Sequence, residues 1–381
     1  MRSPMNSFYE THNPTRRIKM KRLKTGAAYH GNRMTSHVIS DMHEMARADM
    51  DIVVHMLSHM DMERHSRAMA DIFKASEAEG LEVWVDNFGL WGEPGDKAHF
   101  LMYHPEAKVQ FADGTFHPFK PCFNSPEYRG FVKDWIDKVR ELGGKTIFWD
   151  EPNLPLKRTE IEGEFISACC CPRCAKLFEE RYGKKMPLIA DVDVARFRSD
   201  TITEFHEFIT AYAKSLGMRN VITLLPNQME RIYNKVDMSD KIDVVDASRI
   251  CAIKDVDDFG TDPYWFGTPA YAPGGNPYEY VYNSSRNCID VANKYGKDSH
   301  IWIQGYGAKR GREEEIIIAA EAAYDAGART ILSWSYGGGE ANNYRSENTA
   351  KTQWMTEEAF RRIKSLDRDR LLAENRAKYK K

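Results

Sequence analysis

The sequence predicts an α/β protein, a (β/α)8 TIM barrel forming a single domain with long strand-tip loops. Three observations carry this. Eight apolar runs of strand length alternate with longer stretches of helical periodicity. No glycine-rich GxGxxG follows the first run, which speaks against an open dinucleotide-binding sheet. No low-complexity linker or composition shift divides the ~340 residues that hold these units, a length ordinary for one barrel.

Taken in order, the first strand is Thr25–His30, followed by a helix around Asp41–Ala48. The second strand is Ile52–Met56, with a helix from Glu63 to Glu79, and the third is Leu81–Val85. A long loop, Asn87–Ser125, then precedes a helix from Pro126 to Leu142; loops of that length usually carry function. Thr146–Trp149 is the fourth strand, trailed by a cysteine-rich segment and helices near Ala175–Tyr182 and Val192–Leu216. Val221–Leu225 is the fifth. For the sixth, Asp258–Gly260 is preferred over Ile242–Val245, because Thr261-Asp262-Pro263-Tyr264 ends it as the other strands end. Ile301–Ile303 with a helix Glu313–Ala326, and Thr330–Ser333 with a helix near Thr356–Ser365, complete the set. The expected boundaries are a flexible basic lead-in over 1–24, the barrel over 25–366 and a charged tail over 367–381.

Charge is balanced, 54 Lys and Arg against 56 Asp and Glu, so the basic excess of a nucleic-acid binder is missing. With 42% hydrophobic residues the chain can bury a large core, and disorder is excluded as its main state. No apolar run approaches the ~20 residues of a membrane span, and the first 24 residues lack the apolar stretch of a secretory signal. A cytoplasmic protein with no nucleic-acid or membrane partner is therefore expected, its oligomeric state open.

In a (β/α)8 barrel the site lies at the C-terminal ends of the strands. Those positions hold His30, His55, Asp86, Asp150, Glu151, Asn227, Asp262, Tyr264, Gln304, Trp334 and Glu340, with Trp149 and Trp302 nearby. Carboxylates and amides bind hydroxyls and indoles stack on sugar rings, so the expected partner is a carbohydrate. Trp302 and Trp334 are the expected stacking platforms. His30, His55, Asp86, Trp149, Asn227, Tyr264, Gln304 and Glu340 are expected to line the substrate. Within Phe148-Trp149-Asp150-Glu151-Pro152 two adjacent acids end a strand, a costly placement unless it is used. Glu151 is the candidate proton donor, Asp150 a group that orients substrate or water, and Asp262 a candidate second catalytic carboxylate.

Trp149-Asp150-Glu151-Pro152 resembles the Asn-Glu-Pro signature on the fourth strand of clan A glycoside hydrolases. The resemblance implies a glycoside hydrolase with Glu151 as acid/base. Two positions depart from it. Asp150 replaces the asparagine, and Gln304 stands where the clan carries its seventh-strand nucleophile glutamate. An uncharged amide forms no glycosyl ester. The expected reaction is therefore either inverting, with Asp86, Asp262 or Glu340 as base ~6.5–9.5 Å from Glu151, or substrate-assisted, with Asp150 orienting an acetamide as in hexosaminidases. Two other readings stay open: a glycan-binding barrel without catalysis, and a metal-dependent hydrolase using His30, His55 and Asp86.

Cys169-x-Cys171-x-x-Cys174, with Pro172-Arg173 as a knuckle turn and Cys122 as a fourth thiol, has the composition of a structural Zn²⁺ site. Redox-active or inert thiols are the alternatives. The arrangement resembles the zinc cluster of glycoside hydrolase family 42. Cys170, Cys251 and Cys288 are left over.

Overall fold

The computed structural model describes residues 22–91, 97–229, 245–266 and 277–379. Most of the lead-in, the competing run at 242–244 and the end of the tail lie outside these residues.

Eight strands close into a barrel: β1 Lys24–Tyr29, β2 Ile52–Met56, β3 Glu82–Asp86, β4 Thr146–Trp149, β5 Arg219–Leu224, β6 Asp258–Thr261, β7 Asp298–Gln304 and β8 Thr330–Trp334. Each strand pairs in parallel with its two sequence neighbours, and β1 closes on β8 with Lys24 opposite Thr330. The preferred sixth strand is the one that forms. One expected helix is two. Ser58 and Asp61 make a reciprocal capping box that starts His59–Arg64 early, and His65 leaves helical geometry before Ser66–Ala78 begins. The last helix runs unbroken over Thr349–Tyr379; on it, buried Asp367 accepts a hydrogen bond from the Leu23 N–H.

Strand alternation sorts every barrel residue to one of two faces. Ala28, Val54, Met56, Trp84, Phe148, Val221, Trp302 and Leu332 point inward and fill the interior. Trp84 stacks on Phe148 with ring centroids 6.4 Å apart, and Phe148 meets Trp302 at a tilt, 5.2 Å away. Below them lies a polar floor. His300 bonds Asp258 at 2.7 Å and Thr223 at 2.7 Å, and Arg219 reaches Asp258 at 2.7 Å. Burial pushes the Asp258 carboxyl up, but His300 and Arg219 outweigh it and hold it below the usual carboxylate range. Gly260 is required here: a Cβ would sit 2.1 Å from the His300 ring.

The outward faces pack against the helices in a second, larger core. A third, small core lies under the β3 and β4 loops. There the hairpins Lys108–Gln110/Phe116–Pro121 and Lys157–Arg158/Phe165–Ile166 meet the helix Pro172–Tyr182 around Val109, Phe111, Phe178 and the cysteines. Neither hairpin was expected; both are too short to show a period-two pattern.

Candidate active site

Alternation aims Asp86, Asp150 and Asp262 into the barrel mouth, directly above the Trp84–Trp302 plug. All three are buried. Both carboxylate oxygens of Asp86, and Oδ1 of Asp262, have no hydrogen-bond partner among the described residues. Glu151, next in the chain after Asp150, should point away. Its backbone instead turns left-handed, with φ +36°, and its carboxyl comes back to share a hydrogen bond with Asp262. A residue before proline is disfavoured in helical backbone, so this turn is strained and held by its surroundings. The Glu151 carbonyl accepts from Asn153 Nδ2 at 2.8 Å, and Lys120 Nζ donates to Asn153 Oδ1 at 2.8 Å. Asp150 is pinned at both backbone groups: its N–H donates to Asn87 Oδ1 at 2.8 Å and its carbonyl accepts from Trp91 Nε1 at 3.0 Å.

The result is a cup of four carboxyl groups that cannot all ionise. Burial and then Glu151 push Asp86 well above the ordinary carboxylate range. Burial, Asp86 and Glu151 do the same to Asp150, and burial with Glu151 does so to Asp262. Tyr264 and Tyr306 stand beside Asp262 with rings 5.3 Å apart, and burial and these acids raise both phenols. On the other side, His30 lies between Phe88 and Trp334, at 5.9 and 5.8 Å. Its Nε2 is buried without a hydrogen-bond partner among the described residues, and burial followed by Arg33 lowers its pKa to about 4. A cleft of about 580 Å³ opens from here, bounded by Arg33, Asp61, Phe88, Trp334, Asn342 and Tyr344. Arg33 holds Asp61 through two bonds, at 2.6 and 2.7 Å.

Several expected site residues stand elsewhere. His55 is on the outer face of β2, bonded to Ser76 Oγ at 2.8 Å and packed on Phe73, so it joins neither substrate nor a metal with His30 and Asp86. Trp149 is also outward: its Nε1 donates to Asn220 Oδ1 at 2.9 Å and its ring stacks on Trp91. Trp302 points inward but is wholly buried beneath Trp334, with its Nε1 bonded to Thr223, so it is a plug and not a platform. Asn227 is exposed on the short helix Pro226–Met229. Glu340 is exposed just past the Gly337–Gly339 turn, unlike the buried acids of the cup. Gln304 is at the mouth, but its Oε1 is taken by the Phe266 N–H at 2.8 Å. His30, Asp86, Tyr264 and Trp334 do line the mouth, together with Asp150, Glu151 and Asp262.

Asn87 and Trp91 stand at the strand tips in the sequence as a sugar-binding amide and indole, and in the structure they hold Asp150; sequence reading passed over Arg33–Asp61 in the cleft. Only the Ser58-x-x-Asp61 cap left a sequence signal for the last pair.

The four cysteines converge. Cys122 Sγ lies 3.8 Å from Cys171 Sγ and 3.4 Å from Cys174 Sγ, and all four sulfurs fall within 4.8 Å of one another. None is in a disulfide. A tetrahedron with ~2.3 Å Zn–S bonds has edges of about 3.8 Å, close to the two separations from Cys122, so the four thiols could hold a zinc ion. The Cys170 side chain is half-buried, and its N–H is bonded to the Gln110 carbonyl at 2.7 Å.

The fold and site together define a parallel eight-stranded barrel with a carboxylate-lined mouth. No protein-family model matches the sequence, and a comparison with curated proteins gives no match. Among solved structures, the chain is similar to an endo-β-1,4-mannanase from Thermotoga petrophila, at 12% identity over 91% of this chain and 78% of that one, with a TM-score of 0.56. It is similar to a β-galactosidase from Bacillus circulans sp. alkalophilus at 14% identity and TM-score 0.59, covering 92% of this chain and 56% of that one. An endo-1,4-β-mannanase from Rhizomucor miehei matches at 10% identity and TM-score 0.58, covering 90% and 95%. At these identities the likeness shows the barrel fold alone.

Proposed function

We propose that the protein is a glycoside hydrolase whose catalytic pair is Glu151 and Asp262. The observation that carries this is their hydrogen-bonded contact inside a buried acidic cup walled by Trp334, Phe88, Tyr264 and Tyr306. Two carboxyls in contact hold one proton between them, which keeps an acid available at neutral pH. The barrel neighbours, named as mannanases and a β-galactosidase, support the reading.

A contact pair lies nearer the ~5 Å spacing of retaining enzymes than the ~6.5–9.5 Å an inverting pair needs to seat a water. On that spacing we favour retention through Asp262 over the inverting or substrate-assisted routes expected from the sequence. The Asp262 carboxylate attacks the anomeric carbon as the glycosidic C–O bond breaks, and Glu151 gives its proton to the departing oxygen. Water then attacks the same carbon, Glu151 takes its proton, and Asp262 is released. Asp150 and Asp86 hold ring hydroxyls, and Trp334 stacks on the sugar. Cys122, Cys169, Cys171 and Cys174 hold a structural Zn²⁺ that staples the β3 and β4 loops. Seven cysteines with none in a disulfide fit a reducing, cytoplasmic setting.

The test is hydrolysis of a panel of aryl glycosides and β-linked polysaccharides. Glu151→Gln and Asp262→Asn are each expected to lower kcat by about 10²–10⁴-fold. The first product should keep the anomeric configuration by NMR, and azide should restore turnover to Asp262→Ala. Unchanged rates in both variants overturn the pair. An inverted product removes Asp262 as nucleophile. A wild-type protein that binds these sugars and cleaves none is the glycan-binding barrel.

A further inference from the structure

We propose a second metal site, separate from the four cysteines, in which His59, Glu63 and His99 bind a divalent transition ion such as Zn²⁺ at the rim of the barrel. The three side chains come from two different loops. His59 and Glu63 are one turn apart on the helix after β2, and His99 lies on the β3 loop just before the short helix Phe100–Tyr103. Both imidazole Nε2 atoms face one oxygen, Glu63 Oε1, at 3.5 and 3.1 Å. The three ligating atoms all lie within 4.8 Å of one another. A tetrahedral ion with ~2.1 Å bonds to nitrogen and oxygen has ligand–ligand edges of about 3.4 Å, which these two distances bracket.

The two rings stack face to face, with centroids 3.8 Å apart and planes 10° from parallel. Two imidazolium cations would repel at that distance, so at least one ring is neutral and carries a free lone pair. Among the described residues His59 Nδ1 is buried without a hydrogen-bond partner, and its ring packs on Phe131, leaving Nε2 as its polar outlet. A simple ion pair needs one histidine per carboxylate. Two converging on one oxygen is the arrangement that two nitrogens and one oxygen make around an ion, with water completing the shell. Of the nearby charges, Arg64 acts on Glu63 and weakens the site somewhat.

Such an ion ties the long β3 loop to the helix that carries Asp61 and borders the cleft. It needs no assumption about the reaction at Glu151.

The measurement is calorimetric titration of the intact protein with Zn²⁺, and separately with Ni²⁺, after dialysis into metal-free buffer. One binding event beyond the zinc carried through purification is expected. Glu63→Gln, on an exposed side chain, and His99→Gln, on a half-buried one, should each weaken it at least about tenfold, as loss of a ligand does. Neither variant should change retained zinc or, without added metal, the melting temperature. Cys171→Ala should remove retained zinc and leave the added-metal event in place. The same isotherm in Glu63→Gln and His99→Gln as in the wild type, or no event beyond the retained zinc, overturns the site.

Discussion

Glu151 owes its position to one torsion. With ordinary extended backbone its carboxyl would leave the mouth, and Asp262 would lose the partner that shares its proton. The pair predicts a pH profile. Activity requires one proton on the pair, so it falls on the alkaline side as that proton leaves, and Glu151→Gln removes this limb from any residual rate. A second prediction concerns His55. Burial, and then Arg33, lower it to about 3, so the folded state binds its proton only far below the unfolded value of 6.5. The unfolded chain takes up more protons below pH 6.5, and the stability from a neutral His55 is full above that value and lost as the pH falls towards 3. Between pH 7 and pH 5 this amounts to about 2 kcal/mol. The stability gap between wild type and His55→Gln, read from urea midpoints, should narrow by that amount, with KM unchanged. The raised acids of the cup act in the opposite direction, which is why the difference between the two proteins, and not the wild-type curve, is the measurement.

At the scale of elements, the strands were readable because alternation and the punctuating loops are local signals. β2 and β4 fall where the apolar runs end, at Ile52–Met56 and Thr146–Trp149. Less readable was which face each tip residue takes. His55 and Trp149 follow apolar runs as Asp86 and Asp150 do, yet stand one position out of phase and face the helices. Counting parity from the inward Trp84 would have sorted them. Glu151 breaks that parity, and no sequence pattern announces a left-handed residue before a proline. The cysteine segment was readable in composition, but the hairpins that bring Cys122 to it were not. The prediction at this scale is that Cys174→Ser lowers zinc content from about one ion per chain to near zero by elemental analysis, and lowers the melting temperature.

Over the whole molecule, the barrel is a closed ring around an aromatic plug on a charged floor. Trp302 is part of that plug, so Trp302→Ala should cost about 3–5 kcal/mol of stability by denaturant titration. Trp334→Ala should instead raise KM with a smaller effect on stability, since its ring is half open to the cleft. Gly260→Ala forces a methyl into the His300 ring and should destabilise by at least about 1–3 kcal/mol. Among the described residues no helix is long and apolar enough to cross a membrane.

The path from Lys120 through Asn153 to the Glu151 carbonyl starts one residue from the strand end that leads to Cys122. The cysteine clip and the acid thus share a frame. Cobalt seated by four thiolates absorbs visible light, and its bands report small changes in ligand geometry. If the four thiols take up cobalt, a shift of those bands on adding a candidate sugar should report movement of that shared frame without a label.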